Sequence, residues 1–323
     1  MERNEVRALD YLRQLQASIP YEGGVPEDLL RQRTKQVEGY ADLVRTKDHS
    51  FEGDEKWLRE NLILPFLACI PRHEARALHE TPVGLLPIFE PNAWAVKTPS
   101  GDDLIVLHTE LLAVLSFYSE AKGVHGEIHR RLGMEEATKF IRECFRLIFD
   151  SFLHKRKVDF PPLPVTLRGK AFEMVQIMTC LNELFIIAHE FAHIVLGHTG
   201  TVRVTPLKSI PGHKTVSIVT WEQQQELDAD RKAMEWLHHL DKNSKSIYIK
   251  GAAFSPTMCA EVLMLLHFIE AHVGFPDSKA SHPPALVRME HLLSHAQEML
   301  SDSDREHLAG MIRRANATRS LEL

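Results

Sequence analysis

Cysteine is scarce in this chain and widely scattered: there are four, Cys69, Cys144, Cys180 and Cys259, with no CxxC pair among them. Neither a disulfide framework nor a thiolate metal site is expected from that pattern, and a reducing compartment suits it best. A basic excess is missing too. The formal net charge is −6, and the only basic run is HKRK at 154–157, which argues against nucleic acid or anionic lipid as a main partner. The apolar stretches 104–118 and 258–275 are interrupted by Glu110, Glu261, Glu270 and histidines. Charge at bilayer depth is costly, so both read as core helices and no stable membrane insertion is expected. The first residues, MERNEVRALDYLRQLQ, are charged from the second position and read as an amphipathic helix without the apolar core of a secretory signal. A cytoplasmic location follows as the expectation. Internal repeats and low-complexity tracts are absent, and nothing indicates an oligomeric state.

What the chain does carry is histidine, 19 in all, within an ordinary globular composition of 44% hydrophobic and 25% charged residues over 323 positions. That is enough to bury a substantial core. Residues 2–80 read as mostly helical, with breaks at 20–28 and at Pro71. Two β-prone runs, 93–98 and 104–108, flank a Pro-Ser-Gly-Asp-Asp turn and predict a hairpin. An amphipathic helix is expected over 127–153, ended by the prolines of 159–170, and a long apolar helix over 171–199, capped at Gly200. Further helices are expected at 221–240, 256–273, 284–299 and 302–318. The expected class is mainly α with a small β-hairpin, α+β. It divides into a helical amino-terminal region (1–80) and a domain over 81–323 with a helical insertion at about 119–170.

The chemistry concentrates in AHEFAHIVLGHTG, residues 188–200. Residues four apart on a helix share a face, so His189 and His193 can converge on one ion, and neutral imidazole suits Zn²⁺. Glu190 points beside the pair, where it can take a proton from a water on that ion. In a histidine-rich chain the bland alternative is a pair of packed core histidines. His198, five residues after His193, falls roughly 500° round the helix, on its opposite side, and reads as a helix-end or packing residue, with a lesser alternative of steadying a ligand. The third ligand is sought downstream in WEQQQELDADRKAMEWL (221–237), where helical spacing puts Glu226 and Asp230 on one face. Glu226 completes a His₂Glu site with one open position, and Asp230 can accept the outward N–H of a ligating ring. Glu222 and Asp228 read as a solvated acidic face. His73, His79, His108, His125, His267 and His272 have no motif around them and read as packing or surface residues, and Cys180 reads as a small buried hydrophobe.

Together HEFAH (189–193), ELDAD (226–230) and SHPPALVRMEHL (281–292) resemble the motifs of the HtpX-like gluzincin peptidases, and PNAWAVKTPSGDDLIVLHTELL (91–112) is similar to that family's hairpin segment. The resemblance implies a zincin-like fold and zinc-dependent endopeptidase activity on a protein or peptide. It makes His189, His193 and Glu226 the zinc ligands, Glu190 the base and Asp230 the residue that holds a ligand ring. It also brings His282 and Arg288 near the site, the first as a donor to an oxyanion, the second as partner to a carboxylate of the site or the substrate. The stretch 119–170 and the missing membrane helices depart from the family pattern and argue against prenyl-peptide substrates and membrane-protein quality control. Two alternatives stand beside this reading. One is a regulated protease acting on a host target, similar in broad plan to the soluble Lit-type phage-exclusion peptidases; the other is a regulatory protein that uses zinc as a structural pin.

Overall fold

The computed structural model describes residues 2–17, 50–88, 91–155, 163–200, 223–243, 255–273, 283–296 and 300–318. Helix α1 (Glu2–Ala17) is followed by α2 (Phe51–Leu58), which runs through a π-helical stretch (Arg59–Ile63) into α3 (Leu64–Leu67), and by α4 (Arg72–Leu78). Strands β1 (Val83–Leu86), β2 (Ala93–Lys97) and β3 (Asp103–His108) come next. Then follow α5 (Thr109–Leu132), α6 (Met134–Leu153), α7 (Lys170–Val195), a 3₁₀ turn (His198–Gly200), α8 (Gln223–Asn243), α9 (Ser255–Val273), α10 (Ala285–Ala296) and α11 (Asp302–Thr318). The mainly helical α+β class read from the sequence is the class observed. The break expected at 20–28 lies outside the described residues, whereas Pro71 does open α4.

The three strands form one mixed sheet in the order β1-β3-β2. The expected hairpin is β2 against β3, antiparallel, with Ala93 opposite Leu107 and Lys97 opposite Asp103. Its turn is closed by Thr98 N–H to Asp102 O (2.9 Å) and Gly101 N–H to Thr98 O (2.8 Å). Strand β1 was not anticipated; it pairs parallel to β3, with Val83 opposite Ile105. Its outer edge is bonded to side chains, for Leu85 N–H donates to Glu55 Oε1 at 3.0 Å and the Gln16 amide donates to Leu85 O at 2.9 Å. These bonds satisfy backbone groups that a bare edge would present to other chains. They also tie α1 and α2 to the sheet. Gly84 permits the close approach, since a Cβ there would lie 2.2 Å from Leu12 Cδ2.

Three helix boundaries differ from expectation, each for a local reason. The stretch 104–118 was read as a core helix and its first residues also as a strand of the hairpin; Leu104 to His108 do belong to β3, and α5 starts only at Thr109. The helix expected over 127–153 is instead divided at Gly133, whose φ of 99° L side chains rarely adopt, so that α5 ends and α6 begins there. The long apolar helix stops at Val195 rather than 199, and the residue at positive φ (73°) is Gly197, not Gly200.

Helix α7 is the hub. It packs against α4, α5, α8, α9 and strands β2 and β3. Its Leu184, Ile187, Ala188, Phe191 and Ala192 are fully buried, and burying a side chain the size of Leu or Phe contributes about 1.5–3 kcal/mol. Phe191 stacks on Phe66, with ring centroids 6.2 Å apart, and Phe66 sets its edge against Trp236 of α8 at 5.7 Å. Among the described helices α7 is the one long and apolar enough to cross a membrane. One continuous apolar core runs from Ala8 of α1 to Met311 of α11, while Val124, Ile128, Ala137, Leu163, Val165, Leu167 and Val175 form a second, smaller cluster. All four cysteines are free thiols, Cys180 buried among them. His108 is buried edge-on to Trp94 and His272 stacks on Phe149.

Candidate metal centre

The buried face of α7 brings His189 and His193 together because they are one turn apart; their rings meet with centroids 4.7 Å apart. Helix α8 lies against α7 and contributes Glu226 and Asp230 from its own buried face, both with no solvent exposure. The two Nε2 atoms are 3.1 Å apart. Glu226 approaches both, at 3.3 Å from His189 Nε2 and 3.4 Å from His193 Nε2. A tetrahedral ion with ligand bonds of about 2.0–2.1 Å holds its ligand atoms about 3.3 Å apart. The separations, to Glu226 Oε2 from His189 and to Oε1 from His193, are of that order, and among the described residues these three are the group able to share an ion.

The surroundings complete the charge pattern. His189 Nδ1 lies 2.9 Å from Asp230 Oδ1, so the carboxylate fixes the ring with Nε2 turned toward Glu226. Arg288 of α10 donates to Asp230 twice, from Nε to Oδ2 at 2.7 Å and from Nη2 to Oδ1 at 2.6 Å. It also comes within 4.0 Å of Glu226 Oε2. Glu190, Glu226 and Asp230 are buried carboxylates, and Arg288 is the buried guanidinium among them. With neutral imidazoles, Glu226 and Asp230 against Arg288 leave one net negative formal charge, a burden that a buried cation relieves. The donor set of two imidazoles and a carboxylate fits zinc in both ligand type and charge.

In the metal-free protein a proton occupies part of that role. Burial disfavours charge on His189, but the attraction of Asp230, with Glu226 behind it, outweighs burial and raises the ring to about 10. His193 goes the other way: burial dominates the pull of Glu226 and lowers it to about 4. The two rings are thus pushed in opposite directions, with positive charge favoured on the one nearer Asp230. Burial also works against the Asp230 anion, yet Arg288 and then His189 hold it at about 2.

Most residues singled out from the sequence have a definite place. His189, His193, Glu226, Asp230 and Arg288 are brought together, and Glu190, next to His189 in the chain, is buried on α7. Arg288 spends two of its donors on Asp230. His282 and Glu222 lie outside the described residues. Asp228 is half-exposed and near Arg231, in keeping with an acidic outer face. His198 corrects the sequence reading: it is not across the helix from His193 but in contact with it, Nδ1 to Nδ1 at 3.1 Å. The chain leaves α7 at Leu196, and Gly197 turns it back, so a helical angle carried past Val195 has no meaning. Sequence reasoning also missed Glu74 of α4, which accepts from Trp236 Nε1 at 2.7 Å and pairs with Lys232 Nζ at 2.6 Å, clamping α8. An isolated Glu in a short helix gives no local sign of such a partner.

His189, His193 and Glu226 thus form a buried group, on two packed helices, that could hold a metal ion. The chain belongs to the peptidase U49 family, whose family model matches residues 124–312 and so takes in α7, α8 and α10 together. No curated protein matches the chain, and no solved structure does.

Proposed function

We propose that the chain is a zinc-dependent endopeptidase, with His189, His193 and Glu226 as ligands and Glu190 as general base. The observation that carries the proposal is the convergence of His189 Nε2 and His193 Nε2, 3.1 Å apart, on the Glu226 carboxylate, with Oε2 at 3.3 Å from His189 and Oε1 at 3.4 Å from His193. When bound, zinc would supply a Lewis acid for the scissile carbonyl and lower the pKa of the attacking water. Glu190 accepts the proton of that water and returns it to the leaving amine. Asp230 holds the His189 ring in the tautomer that leaves Nε2 free to ligate, and Arg288 compensates the Asp230 charge so that the carboxylate stays ionised in a dry site. His282 is the candidate donor to the oxyanion. The order HEFAH, ELDAD, SHPPALVR supports a gluzincin of HtpX-like type, and membership of a peptidase family makes a protein or peptide the substrate. Four free thiols agree with a cytoplasmic setting.

The test compares new protein amino termini in cells carrying the native chain, Glu190→Gln or Glu226→Ala, together with the zinc content of each purified protein. Glu190→Gln should keep zinc and lose cleavage, Glu226→Ala should lose both, and chelation of the native chain should be reversed by zinc. Normal cleavage by Glu190→Gln would remove the proposed base.

A further inference from the structure

We propose that His198 is the positioning residue for His193, doing for the second histidine ligand what Asp230 does for the first; this rests on the metal reading above. The two ligating rings are supported unequally. His189 has its outer nitrogen on a carboxylate, Nδ1 to Asp230 Oδ1 at 2.9 Å. His193 has its outer nitrogen on a neighbouring imidazole, Nδ1 to His198 Nδ1 at 3.1 Å, with ring centroids 5.2 Å apart. For His193 to offer a lone pair from Nε2 to an ion, its proton must sit on Nδ1. His198 Nδ1 is then the acceptor, and its own proton lies on Nε2. The bond fixes the His193 tautomer and stops the ring from turning about χ2, with Nε2 kept toward Glu226 at 3.4 Å. The device is built by the local chain path: α7 ends at Val195, Gly197 takes a φ of 73°, and the 3₁₀ turn His198–Gly200 returns the ring to the end of the helix. The chemistry is that of an outer partner to a metal-bound histidine, supplied from within the same helix end and without a second buried anion. An anion there would add to the negative charge already held by Glu226 and Asp230.

The test measures zinc affinity by competition with a chromophoric chelator for the native chain, His198→Asn and His198→Phe, alongside the melting temperature of each metal-free protein. Asparagine places Oδ1 where the histidine has Nδ1 and can accept the bond; phenylalanine keeps the ring and cannot. Affinity should fall about 10- to 100-fold in His198→Phe and stay within a few-fold of native in His198→Asn, with metal-free melting temperatures alike. Equal affinities for the native chain and His198→Phe overturn this inference while leaving the metal reading intact. A parallel fall in both variants makes the role one of packing and overturns it as well. A native chain that binds no zinc, or binds it as well after His189→Ala, overturns both this inference and the metal reading.

Discussion

Arg288 and Asp230, brought together from α10 and α8, form a two-bond ion pair at 2.6 and 2.7 Å, and that pair stands directly behind His189. It links the last helices of the chain to the candidate metal ligands. Loss of the guanidinium strands a buried anion, so Arg288→Ala should destabilise the fold by about 3–5 kcal/mol. Arg288→Lys should recover only part, because an ammonium cannot reproduce the fork. The check is urea denaturation with the slope unchanged. A midpoint that does not move in Arg288→Ala would remove the pair from any structural role.

On the proposed zinc reading, the metal and a proton would compete for His189. Its folded pKa, raised to about 10, lies above the ordinary value of about 6.5. In the metal-free protein its charged form therefore contributes stability that is fully present below about 6.5 and lost as the pH rises through about 10. Since a ligating nitrogen must be deprotonated, zinc binding at pH 8 should release about one proton from this ring, and affinity should rise with pH across that window. Calorimetry in two buffers of different ionisation enthalpy measures the release. No proton released at pH 8 would contradict the charged state of His189.

Glu74 provides a control that separates architecture from chemistry. Its carboxylate joins α4 to Trp236 and Lys232 on α8, at a distance along the helix from Glu226. Glu74→Ala leaves a buried indole N–H without its acceptor and should cost about 1–3 kcal/mol, with zinc stoichiometry unchanged. Melting curves and metal analysis together decide the matter; loss of zinc at temperatures where the variant is folded would place Glu74 in the site itself.

How much of this was legible in the sequence depends on the range over which each feature is encoded. The pairing of His189 with His193, and of Glu226 with Asp230, follows from helical periodicity alone. Their meeting requires only that two buried faces pack, and the hairpin was visible in its own turn residues. Strand β1 was not visible because VGLL has no alternation and pairs in parallel with a strand about twenty residues on. The division at Gly133 was missed because a single glycine within a helical pattern is usually tolerated. The contact of His198 with His193 was missed for a different reason: it depends on where α7 stops, and helix ends are the least determined part of a sequence reading. Arg288 was placed near the site by motif, but the identity of its carboxylate partner depends on how α10 sits against α8, which no local pattern encodes.

The most direct test of the central claim is anomalous diffraction at the zinc edge from crystals of the native chain grown with zinc. A single peak is predicted within about 2.0–2.2 Å of His189 Nε2, His193 Nε2 and a Glu226 carboxylate oxygen. A peak held by other residues, or Glu226 turned away from two histidines that bond only to protein neighbours, would contradict it.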